Sequence, residues 1–137
     1  MENIILNDDI ITLDTTIMAK KIKFYNNSKS IYVNGIHSEQ GISPYWDYFK
    51  DDIYSNVYFA PTQSFLRKWL RKIHNMHIVI IPFAIDSTDP KSECKYHYEI
   101  NKQQFYGFVN ADRYGDGFDS YELALEKALQ EILELIN

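Results

Sequence analysis

The sequence predicts an α+β fold in which an antiparallel sheet carries two or three amphipathic helices on one face. Three observations lead there. Pro61 to Phe83 reads PTQSFLRKWLRKIHNMHIVIIPF, an amphipathic helix that passes straight into a β-branched run. Lys95 to Asn101 alternates, with Tyr96, Tyr98 and Ile100 on one face and His97 and Glu99 on the other. Asp119 to Ile136 repeats apolar residues at helical spacing. From Thr62 onward the order is therefore helix, strand, strand, strand, helix, and helices on one sheet face would bury all the apolar stripes.

The central helix is expected over about residues 62–74, with Pro61 before it and Thr62 as N-cap. Phe65, Leu66, Trp69, Leu70 and Ile73 fall at i, i+1, i+4, i+5 and i+8 and read as one apolar stripe, with Arg67, Lys68, Arg71 and Lys72 opposite. Asn75 can adopt a left-handed conformation and end the helix. Strands are expected at about 76–83, 95–101 and 105–109, with Pro82 marking a strand end or an edge. The last helix spans about 120–136, opened by an Asp119-x-x-Glu122 capping box. Tyr121, Leu125, Ala128, Leu129, Ile132 and Ile136 form its core face, while Glu122, Glu126, Lys127, Gln130 and Glu134 face out.

Upstream, Thr12 can cap a helix over about Leu13 to Phe24 that buries Leu13, Ile17 and Phe24 and leaves Lys20, Lys21 and Lys23 in solvent. Ser30 to Val33 reads as a strand followed by an Asn34-Gly35 turn, and Gly35 to Ser43 as loop. Pro44 to Asp52, PYWDYFKDD, suits one or two helical turns after Pro44. Ser55 to Ala60 reads as a strand with Val57 and Phe59 on one face. No repeat, linker or low-complexity tract divides the chain, so residues 1–137 are expected to form one globular domain.

Composition narrows function by exclusion. A chain of 137 residues, 45% hydrophobic and 24% charged, is an ordinary globular composition, and a net charge of -5 argues against a general nucleic-acid binder. The lone Cys94 forbids an internal disulfide and suits a reducing compartment. The start Met1-Glu2-Asn3 lacks a basic signal-peptide region, and the longest apolar run, Ile78 to Ile85, is interrupted by Pro82. A cytoplasmic protein with no membrane partner is the expectation. Eleven tyrosines exceed what a small domain usually carries; they suit strand faces and partner surfaces.

No motif carries a convincing reaction. His74-x-x-His77 with Cys94-x-x-His97 imitates a two-plus-two zinc pattern. Pairing of the two strands would set His97 near Ile81 and leave His77 about four positions away, roughly 13 Å, too far for a shared ion. Asn110 to Asp116 hints at a calcium loop, with Gly115 at the sixth position, but Tyr114 stands at the fifth and Glu122 at the thirteenth instead of the twelfth. Asp89, Glu93 and Lys95 are too close together for a metal-dependent nuclease. Cys94 has cations nearby but no orienting third group. Neither a cofactor nor a metal is expected. The helix, three strands and helix are also similar in order to double-stranded-RNA-binding domains, yet Asp116, Asp119 and Glu122 occupy the helix start where phosphate would favour lysine.

Three stretches carry a family resemblance: ITLDTTIMAKKIKF at Ile11 to Phe24, YFAPTQSFLRKWLRKIHNMHIVI at Tyr58 to Ile80, and GFDSYELALEKALQEILELI at Gly117 to Ile136. In these the chain resembles small uncharacterised proteins carried by phages and prophages of gut bacteria of the Bacteroides group. The resemblance implies a phage setting and no catalytic residues. A non-enzymatic accessory protein that binds a host or phage protein is the resulting expectation, inhibition of a host defence system being one version. The alternative is a nucleic-acid or nucleotide ligand-binding module. Two surfaces are candidates for binding: the aromatic and acidic stretch at Tyr45, Trp46 and Tyr48, and the basic helix face of Arg67, Lys68, Arg71 and Lys72.

Overall fold

A computed structural model of the chain describes residues 9–24, 30–38, 57–86, 88–102, 108–111 and 117–136. The fold is α+β. Among the described residues, three helices and six strands follow in the order α1 (Leu13–Lys21), β1 (Ile31–Val33), β2 (Ile36–Ser38), β3 (Val57–Phe59), α2 (Gln63–His74), β4 (Met76–Ala84), β5 (Cys94–Lys102), β6 (Phe108–Ala111) and α3 (Tyr121–Ile136). They fall into two compact units, Met1–Ser64 and Phe65–Asn137, with the boundary in the first turn of α2.

In the first unit, Thr12 caps α1, its side chain accepting from the Thr15 N–H. The helix stops three residues short of the expected Phe24. Lys23 takes a left-handed conformation, φ 63°, and the Lys23 and Phe24 N–H groups donate back to the Lys20 and Ala19 carbonyls. This is a Schellman closure made without glycine, and buried Phe24 anchors it. The inward face of α1 also differs from expectation. Thr15, Thr16 and Ala19 are buried, while Leu13 and Ile17 are half-buried. Lys20, expected in solvent, donates to the Val57 carbonyl and lies 5.0 Å from the centre of the Tyr58 ring. The sheet runs β2-β1-β3, all antiparallel. Asn34 and Gly35, at φ 52° and 80°, form the two-residue turn between β1 and β2. Strand β2 occupies part of the stretch read as loop. Ile31, Val57 and Phe59 bury one sheet face, and the Tyr32 hydroxyl donates to the Ile11 carbonyl. At the entry to α2, the Gln63 N–H is met by the Asp9 carbonyl.

The second unit is built on the antiparallel sheet β4-β5-β6. Asn75, at φ 56°, turns α2 into β4 as expected. Ile81 stands opposite His97 and His77 opposite Asn101, the register anticipated from the connection length. Met76, Ile78, Tyr98 and Ile100 are buried on one sheet face. Helix α3 packs on β5 and β4, and the Tyr98 hydroxyl donates to the Glu131 carboxylate. Its buried residues are Ala124, Leu125, Glu126, Ala128, Leu129, Ile132 and Leu133. Tyr121 is exposed and Glu126 buried, the reverse of the expected orientation for each. The cap is Ser120, whose Oγ accepts from the Leu123 N–H. Asp119, expected in that role, pairs with Lys95 instead. Immediately before it, the Phe118 N–H and C=O both bond to Tyr96.

Candidate functional site

Helix α2 divides its apolar residues in two. Leu66 and Leu70 are 0% exposed and serve the core. Phe65, Trp69 and Ile73, four residues apart, form a separate row, with Phe65 45% and Ile73 61% exposed and Trp69 half-buried. Lys68, Arg71 and Lys72 are exposed alongside it. The five apolar residues read as one stripe span about 140° of the helix at 3.6 residues per turn. Phe65, Trp69 and Ile73 occupy one side of that arc and Leu66 and Leu70 the other, a division that the spacing alone does not show.

Arg67 does not share this surface. Its Nη2 donates to the Ile78 carbonyl at 2.6 Å and its Nη1 to the Tyr121 hydroxyl at 2.8 Å. It therefore ties the helix to β4 and α3, and of the four basic residues singled out from sequence, only Lys68, Arg71 and Lys72 face solvent fully. At the end of α2, His74 packs edge-on against Trp69, with ring centres 4.9 Å apart. Burial, with Lys102 nearby, holds its imidazole below the usual 6.5.

The zinc-like pattern is dispersed. His97 lies flat on Phe83, ring centres 4.0 Å apart and 4° from parallel, four register positions from His77. Cys94 is exposed, and its thiol donates to the Lys95 carbonyl. Beside it, a hydrogen bond with Cys94, the charge of Cys94, some burial and Glu122 raise the Tyr96 phenol above its ordinary value. Among the described residues, no three of His, Cys, Asp and Glu come together in a group able to hold a metal ion. Asp86, Asp89 and Glu93 sit exposed in the β4–β5 connection. There the Asp86 carboxylate accepts from the Thr88 N–H and hydroxyl, which lowers its pKa, and the Asp89 carboxylate accepts from the Lys91 N–H. The Asp86 and Asp89 carboxylates serve the turn.

Tyr45, Trp46 and Tyr48, and the calcium-like residues from Asp112 to Asp116, lie outside the described residues. Among those described, no helix is long and apolar enough to cross a membrane. Comparison with protein-family models, curated proteins and solved structures finds no match for the chain.

Proposed function

We propose that the chain is a non-enzymatic binding protein, a phage accessory protein that docks on a host or phage protein in the cytoplasm of the host cell. The observation that carries this reading is the exposed row Phe65, Trp69 and Ile73 beside Lys68, Arg71 and Lys72. Large apolar side chains gain from burial against another protein, and the flanking cations favour a partner that presents carboxylates around an apolar centre. A nucleic-acid backbone would engage the cations and leave Phe65 and Ile73 unrewarded. The aromatic stretch at Tyr45, Trp46 and Tyr48 is the competing surface on the same chain.

Pull-down from infected host cells tests this with three folded variants: Phe65→Ser/Ile73→Ser, Lys68→Glu/Lys72→Glu, and Tyr45→Ala/Tyr48→Ala. The reading expects one protein, re-tested after purification, that is lost with the first two variants and retained with the third. Loss with the third alone moves the site to the aromatic stretch. Loss with the charge variant alone, together with nucleic acid in the eluate and steep weakening by salt, would establish the nucleic-acid alternative instead.

A further inference from the structure

Hydrogen bonding on β5 defines which way β4 points its main chain. Tyr96 bonds through both its N–H and its C=O to Phe118, so these groups face away from β4. Its register partner Pro82 therefore belongs to a non-hydrogen-bonded pair. Pairs in an antiparallel ladder alternate, so Ile80↔Tyr98 and Ile78↔Ile100 are of the same kind. Ile78, Ile80 and Pro82 thus direct their main-chain groups outward from β5. The Ile85 N–H, bonded to the Glu93 carbonyl at the other end of the ladder, follows the same alternation.

Two features meet an incoming strand on that side. Pro82 has no N–H to offer. The Ile78 carbonyl is already taken by Arg67 at 2.6 Å, and the Tyr121 hydroxyl at 2.8 Å holds the other arm of the guanidinium fork. Between them stands Ile80. Among the described residues β4 pairs only with β5, and its nine residues, MHIVIIPFA, are of the composition that adds strands readily.

We infer that Arg67 guards the edge of β4 against pairing with β4 of a second copy of this chain. The antiparallel registers fall to one feature or to both. The pairing centred on Ile78 avoids Pro82 and requires the Ile78 carbonyl, which the Arg67 guanidinium covers with a charge-assisted bond. Pairings centred on Val79, Ile80, Ile81 or Pro82 set the Pro82 nitrogen opposite a carbonyl it cannot serve. Pro82 thus closes every register but the one centred on Ile78, and Arg67 closes that one. This role is independent of the outer row of α2 and assigns Arg67 to the fold instead of a ligand.

Light scattering coupled to size exclusion tests the inference on the full chain over a range of concentrations. Wild type is expected to run as a monomer. Arg67→Ala, with a native circular dichroism spectrum, is expected to self-associate roughly tenfold or more tightly, about 1.4 kcal/mol. Adding Ile80→Pro removes an outward N–H without touching the β5 ladder and should restore the monomer. Arg67→Met keeps the length of the side chain without its donors and should give the same association, which keeps the test open if Arg67→Ala does not fold. The inference is overturned if Arg67→Ala folds and stays monomeric, or if, where Arg67→Ala does not fold, Arg67→Met stays monomeric. It is also overturned if the Arg67→Ala association survives Ile80→Pro, or if wild type is already a dimer that Ile80→Pro dissociates.

Discussion

Gly117→Ala should destabilise the second unit through two separable causes. Gly117 has φ +81°, a conformation that costs an alanine about 1–2 kcal/mol. A Cβ built there would lie 2.7 and 2.8 Å from Cζ and Cε1 of Phe83 and 3.2 Å from Cβ of Lys95. The Phe83 ring is stacked on His97 at 4.0 Å, so yielding means disturbing that stack. Overpacking of this kind adds about 1–3 kcal/mol, for a total near 2–4 kcal/mol after the smaller entropic gain in the unfolded chain. Urea unfolding followed by circular dichroism should show the midpoint falling by roughly 1–2 M. Repeating the substitution in a Phe83→Leu background should leave only the backbone strain, about 1–2 kcal/mol. A midpoint unchanged within about 0.3 M would refute both causes. An equal loss in both backgrounds would refute the clash.

Two further outcomes follow from burial. Leu129→Ala empties a fully buried position on α3 and should cost about 2–5 kcal/mol by urea unfolding, whereas Leu123→Ala, at an exposed position of the same helix, should stay within about 0.5 kcal/mol. His74 should titrate below 6.5 by NMR, and Lys102→Met should raise that value. Because the folded state disfavours the imidazolium, the unfolded chain binds more protons as pH falls below about 6.5, so stability should decline through that window and decline less in His74→Gln.

The second unit was legible because its signals are local and redundant. Ile78 to Ile81 is β-branched without helical spacing, Lys95 to Asn101 alternates, and the connection between them is short enough to set the register. In the first unit the signals compete. Leu13 and Ile17 outrank Thr15 and Thr16 in hydrophobicity, yet the threonines face inward; the Thr16 hydroxyl donates to the Leu13 carbonyl within the helix and so can be buried satisfied. Lys23 in a left-handed conformation is costly enough that sequence gives no reason to expect it; the double hydrogen bond of the closure and the burial of Phe24 offset the strain. Strand β2 is three residues long, too short to show a period.

Arg67 and Pro82 illustrate why the candidate site was only partly readable. By helical spacing Arg67 groups with Lys68, Arg71 and Lys72, since a helix sequence reports angular position and nothing about what stands opposite. The structure sets the Ile78 carbonyl and the Tyr121 hydroxyl there, and the planar fork meets each with a separate nitrogen. Pro82 poses the complementary problem. In sequence it means either a strand end or an edge, and the choice depends on whether its nitrogen faces the neighbour. Because Tyr96 spends its main-chain groups on Phe118, that nitrogen faces outward and β4 continues through Pro82 to Ala84. Both residues thus act on the same edge, and the link between them is the Tyr96–Phe118 bridge, made by residues far from either in the chain.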